Sequence, residues 1–405
     1  MTAAKRDVLS APGTGDALLS LVLSGASKGQ WGRWLRIPLE HAAESGDVKM
    51  VKLLLDAGAA AHATDPPGGQ CDSQSTPLHA AARGGIVEVV CSLLDAGAKP
   101  DLSVMDRLGW TPLHHAASNG HCGVVRALIR AGATRDVYAE HSKRCLFLKK
   151  KFTPLHVAAM HGREEAVTAL LVAGAKRDAR TGLQDTPLIL AARQGFAGTV
   201  RALLKACPKV NIKNNRHQTA LAKAAAGEHA DIVLELLADG ADPNIPDRQG
   251  MTPLHYAAYS QEGGHAMARA LLAAGANRAA RSKTWHRPEA KHIRPWTPAQ
   301  FAAASGSREV LALLLGAGED VQLADDHGNT LLHLAASHGY LGCVRELVRR
   351  GADEAAADCA GRTPAQVICI HDDTSDDDDD DEEEEDEEGE GEEDAPSDAH
   401  KKHKG

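Results

Sequence analysis

The stretch TPLHHAASNGHCGVVRALIRAGA, residues 111–133, decides the fold. Thr111 suits a helix N-cap, because its hydroxyl can accept a free amide of the first turn. Pro112 follows where a missing N–H costs nothing and where its fixed φ leads into the helix. Leu113, Ala116 and Ala117 then share one face of a short helix, and Gly120 stands where a left-handed residue closes it. Val124, Val125, Ala127, Leu128 and Ile129 make a second apolar helix that ends before Gly132. Each helix has only two to three turns, too few to be stable alone in water. The apolar faces must therefore be buried against other copies of the same unit.

Those copies are present. Thr-Pro-Leu-His recurs verbatim at Thr76, Thr111, Thr153 and Thr252, with variants at Thr186, Thr219, Thr297, Thr330 and Thr363. The steps between them are 35, 42, 33, 33, 33, 45, 33 and 33 residues. A 33-residue period means stacked supersecondary units with neighbour-to-neighbour packing, not one catalytic globule. An earlier unit begins at Ile37-Pro-Leu-Glu-His-Ala-Ala. The second halves recur as Leu-Leu-x-x-Gly-Ala from Leu54, Leu93, Leu170, Leu236 and Leu271.

The Thr-Pro-Leu-His-x-Ala-Ala and Leu-Leu-x-x-Gly-Ala signatures resemble the ankyrin repeat. The resemblance implies an all-α solenoid of helix-turn-helix units with hairpin-like finger loops. It covers residues 37–371 as nine units and a truncated tenth, behind an N-terminal segment and capping half-repeat, 1–36. Some units depart from the pattern. The Thr219 unit lacks the proline and the histidine, and the Thr186 unit ends Ala206-Cys-Pro208 in place of Ala-Gly-Ala. The turn after Cys207 must then be built differently, and the middle of the array is expected to be its softer part.

Residues 372–405 read differently. They hold 20 acidic residues against three lysines, a net −17, whereas residues 1–371 carry 42 basic and 35 acidic residues, a net +7. A run such as Asp376–Glu388 repels itself and has nothing to bury, so the tail is expected to be disordered. It could solubilise, fold back on basic loops of the array, or hold basic proteins such as histones or ribosomal proteins. That last role makes an acidic-tail chaperone the alternative to an adaptor.

Composition narrows the function. Hydrophobic residues make up 43% of the chain but aromatics only 3%, which suits thin packed layers and not an aromatic-lined ligand pocket. The eight cysteines form no C-x-x-C pair, and reading them as reduced implies a cytoplasmic or nuclear protein. No stretch approaches a membrane span. The His79, His114, His156, His255 and His333 series is expected to bond backbone between neighbouring units. One structural task repeated five times accounts for these histidines better than five active sites. His121-Cys122 and His141 with Cys145 come nearest to metal spacing but lack a second pair. No phosphate loop, nucleophile elbow or H-E-x-x-H occurs. The expectation is a monomeric protein that is not an enzyme, with no cofactor and no metal.

In the ankyrin family partners dock on the concave face made by first helices and fingers. By register, the resemblance places His115, Asn119, Met160, His161, Arg193, Gln194, Tyr256 and Tyr259 there, with Ser118, Val157, Lys223, Phe301, Leu334, Ser337 and His338 beside them. The 42- and 45-residue steps insert longer fingers near Val137–Lys151 and Ala279–Pro295. Both mix basic and aromatic residues, and Trp285 and Arg287 in the second join the candidate contacts. The expected partner is a protein; nucleic acid and membrane are not favoured.

Overall fold

The computed structural model describes residues 36–62, 75–139, 151–260, 263–283, 285–287, 290–293 and 295–368. The expected N-terminal half-repeat, most of the Val137–Lys151 finger and the acidic tail lie outside them. The described residues form nine helix pairs and a closing helix. They are α1 (Arg36–Ser45) with α2 (Val48–Asp56), α3 (Pro77–Gly84) with α4 (Val87–Asp95), α5 (Pro112–Asn119) with α6 (Cys122–Arg130), and α7 (Pro154–Met160) with α8 (Glu164–Val172). There follow α9 (Pro187–Gln194) with α10 (Ala197–Leu204), α11 (Ala220–Ala226) with α12 (Ala230–Ala238), and α13 (Pro253–Tyr259) with α14 (Gly264–Ala273). After a short antiparallel hairpin, β1 (Trp285–Arg287) and β2 (Ala290–Ile293), come α15 (Pro298–Ser305) with α16 (Arg308–Gly316), α17 (Leu331–Ser337) with α18 (Leu341–Arg349), and α19 (Pro364–Ile368). First helices pack on the first helices of adjacent units and second helices on second helices.

One apolar core runs through the stack. Leu78, Leu93, Leu113, Leu128, Leu155, Leu170, Leu203 and Leu221 are fully buried, alternating with alanines that let the helices approach closely. Gly85 shows why some turn positions cannot vary. Its φ is +82°, and a Cβ there would lie 2.5 Å from the His121 ring of the next unit. The Thr186 unit does close differently: Cys207 itself takes the left-handed conformation, φ +51°, at the position where other units use glycine.

Three rows of polar bonds run between neighbouring units. The first is the histidine row. In each copy the Thr hydroxyl and amide both lie on the ring Nδ1, at 2.8 Å and 3.2 Å for Thr111 and His114. Since Nδ1 must accept from the amide, the proton sits on Nε2, which donates to a carbonyl of the following unit. His79 reaches Trp110, His114 reaches Phe152, His156 reaches Ala179 and Asp185, His255 reaches Trp296, and His333 reaches Arg362, at 2.9 to 3.2 Å. The expected inter-unit role of these histidines is therefore observed. Gln300 takes the same place in its unit, accepting the Thr297 amide at 2.9 Å. The Thr186 and Thr219 units have Ile189 and Ala222 there and make no such bond among the described residues.

The second row starts at the residue before four of the second helices. His121 donates to Arg83 O (2.9 Å), Arg163 to Ser118 O (2.8 Å), His229 to Arg193 O (3.3 Å) and Ser307 to Ser260 O (2.9 Å). His121 is thus occupied by backbone, and among the described residues no cluster of His, Cys, Asp or Glu could hold a metal. The third row lies in the loops after the second helices. There, Asp136, Asp178, Asn211 and Asn244 accept the amides of Lys176, Lys209, Asp242 and Asn277.

Burial holds the His79, His114, His156 and His255 rings neutral, each with its pKa pushed down to about 4 from the ordinary 6.5. A depressed folded-state value gives stability that is whole above about pH 6.5 and lost as pH falls toward 4. At pH 5 the loss is on the order of 2 kcal/mol per ring. Thermal melts by circular dichroism should therefore show Tm falling steeply below pH 6.5. His156→Gln, copying Gln300, should keep most of the neutral-pH Tm and make the acid decline shallower, whereas His156→Ala should cost about 1–3 kcal/mol at pH 7.5. A Tm independent of pH between 7.5 and 5 would refute the assignment.

Candidate protein-binding surface

The fingers are built by a device that the sequence reading missed. Five residues before the helix-capping threonine stands Asp106, Asn214, Asp247, Asp325 or Asp358. In each case one side-chain oxygen accepts two amides of the turn, as Asp106 Oδ1 does from Leu108 (2.9 Å) and Trp110 (3.0 Å). Asn214 holds Arg216 and Gln218 in this way, and Asp247 holds Gln249 and Met251. Asp325 and Asp358 repeat it for His327 with Asn329 and for Ala360 with Arg362. The signature was legible as Asp-x-x-Gly-x-Thr at Asp106, Asp247, Asp325 and Asp358.

The second carboxylate oxygen of Asp106 and of Asp247 holds a first-helix side chain. His115 Nε2 donates to Asp106 Oδ2 at 2.7 Å, and the ring is 6% exposed. Tyr256 is half-buried and its hydroxyl donates to Asp247 Oδ2. Val157, Phe301 and Leu334, at the same register, are buried as well. The position four after threonine thus points under the finger and supports it. His115 is enclosed beneath its finger, while Tyr256 supports its own finger and stays partly exposed. Met160 is half-buried against a small apolar cluster of Ala139, Phe152, Val157 and Leu190. Burial works to raise the Asp106 pKa, yet the hydrogen bonds from His115 and the Trp110 amide bring it below the ordinary value.

What faces outward is the last turn of several first helices. Asn119, Arg193, Gln194 and Tyr259 are exposed, Tyr259 by 56%, and His161 is partly so. Asn119 also donates to Arg83 O at 3.1 Å, and the His161 ring bonds Val157 O at 2.9 Å. Trp285 and Arg287 lie on β1 of the hairpin, paired with Ile293 and Ala290, away from the first-helix row in sequence.

Helix pairs coupled only to their neighbours, with capped fingers between them, define a repeat scaffold. The family model for ankyrin repeats matches in successive windows from residues 10–104 to 283–374, so the chain belongs to the ankyrin-repeat family. It is similar to human ankyrin repeat domain-containing protein 29, 52% identical over 54 residues, 13% of this chain and 18% of that protein. Protein phosphatase 1 regulatory subunit 27 of Mus musculus is 40% identical over 67 residues, 16% and 44% of the two chains. NF-kappa-B inhibitor alpha of Rattus norvegicus is 35% identical over 106 residues, 25% and 30%. The matched stretches span less than half of each relative. The crystal structure of the human ASB11 ankyrin repeat domain has the same fold, with TM-score 0.51 and 24% identity, covering 60% of this chain and 99% of that one.

Asp106→Ala removes the turn's acceptor and leaves His115 buried without a partner, a loss of about 2–3 kcal/mol. Asp106→Asn, which copies Asn214, should cost less than about half of that. Urea melts of the two variants check the order, and equal losses would sink the finger-cap assignment.

Proposed function

We propose that this chain is a non-enzymatic adaptor or scaffold that binds a protein partner through the inner surface of its ankyrin array and its long basic fingers. The family implies protein partners, and none of the described helices is long and apolar enough to cross a membrane. One observation carries the reading: packing and inter-unit bonds consume the side chains of nearly every repeat-signature position, while Asn119, Arg193, Gln194 and Tyr259 vary in chemistry and stay exposed. Where packing does not dictate identity, a partner can. The names of two relatives, a phosphatase regulatory subunit and an inhibitor, fit a protein that acts by binding others. Arg193 and Tyr259 are the preferred anchors, since exposed aromatic and arginine side chains carry binding energy out of proportion to their number. Trp285 and Arg287 on the hairpin are the second pair.

Affinity capture with the full chain, read by mass spectrometry, should give partners whose recovery falls at least tenfold with Arg193→Ala/Tyr259→Ala, while Tm moves by no more than about 2 °C. Trp285→Ala/Arg287→Ala should behave the same way. A lowered Tm with unchanged capture would make these residues structural and overturn the assignment.

A further inference from the structure

Four consecutive fingers present a row of cations. Arg180, Lys213, Arg216, Arg248, Arg281 and Lys283 are all exposed. Within 179–185, 213–218, 246–251 and 279–283 the carboxylates are Asp185 and Asp247, and both are buried. Asp247 spends its oxygens on two amides and Tyr256, and Asp185 Oδ1 accepts from Asn214 Nδ2 at 2.8 Å. The fingers are also tied edge to edge by main chain. Asn215 N donates to Leu183 O (3.0 Å), Arg248 N to Arg216 O (3.0 Å) and Lys283 N to Gln249 O (2.7 Å). The cations therefore stand at the fixed spacing of the units. At the following finger the sign changes: it carries Asp325 and Asp326, and Asp326 pairs with Arg281 at 2.8 Å.

We propose that this cationic finger row is the docking surface for the chain's own acidic segment, residues 376–394. Charge and reach both support it. The segment carries 17 acidic residues and no basic one. The last described helix ends at Ile368, two units past the Arg281–Lys283 finger and five past the Arg180 finger. At roughly 8–10 Å per packed helix the path is about 20–50 Å. An extended chain covers that in about 6–15 residues. Counted from Ile368, this brings the acidic block starting at Asp376 over the row. Attraction between such surfaces is strong at low ionic strength and screened by salt. A partner that needs the fingers must then displace the segment. This reading stands apart from the anchor residues above, and its test involves no partner.

The test joins ammonium to carboxylate with a zero-length carbodiimide in the full-length chain, mixed in equal parts from isotope-labelled and unlabelled protein. Amide links from Lys213 and Lys283 to carboxylates of 376–394 are expected within single-label chains, falling at least tenfold between 0.05 M and 1 M NaCl. Arg180→Glu/Arg216→Glu/Arg248→Glu keeps both reporter lysines and should reduce the links tenfold with Tm unchanged. If that variant does not fold, the three Gln replacements should give a smaller reduction in the same direction. Absent links, mixed-label links, or links insensitive to salt and to the arginine changes would each overturn the proposal.

Discussion

A two-turn helix cannot hold itself together, and everything else in this protein answers that constraint. Burial of leucine and alanine faces supplies the attraction, but apolar contact alone does not fix the register of one unit on the next. The neutral histidine does. Its Nδ1 closes the N-terminus of its own helix while Nε2 reaches a carbonyl of the following unit. One ring therefore couples the local fold of a unit to its docking, and it can do so only while uncharged.

Two further rows repeat that logic with different chemistry. The residue ahead of four of the second helices bonds the preceding unit, whether it is His121, Arg163, His229 or Ser307. The loop carboxylates and amides bond the following one. Because different residue types do the same work, sequence identity in these places is loose while geometry is not. The same economy leaves exposed side chains at the ends of several first helices and on the fingers, as it does on the outer faces of second helices.

The repeat units, their caps and the purpose of the histidines were legible because each depends on local signals at fixed spacing. The threonine, the proline and the left-handed glycine all act within one helix turn. The fate of the position after Thr-Pro-x-x was not legible. Whether His115 faces solvent or Asp106 is decided by a finger nine residues away, and helical periodicity cannot show this. The bond from Tyr256 to Asp247 was hidden for the same reason. The Asp-x-x-Gly-x-Thr spacing could have exposed it, since an aspartate at a fixed distance from a capping threonine needs a structural reason. For Arg193, Gln194 and Tyr259 the register placed the residues correctly on the surface, but the identity of what they touch is a property of another molecule.

The Thr186 and Thr219 units are neighbours, and neither has the ring that clasps the next unit. Their junctions rest on apolar packing, on His229 with the Arg193 carbonyl, on Arg201 with Glu235, on Asn214 with Asp185, and on main-chain and loop amides. Because these two units carry no buried ring, a change of copy number there breaks no histidine clasp. Gene duplication or loss of one 33-residue module there would leave both flanks with their clasps intact, so lineages of this scaffold can lengthen or shorten from the inside without redesigning either end.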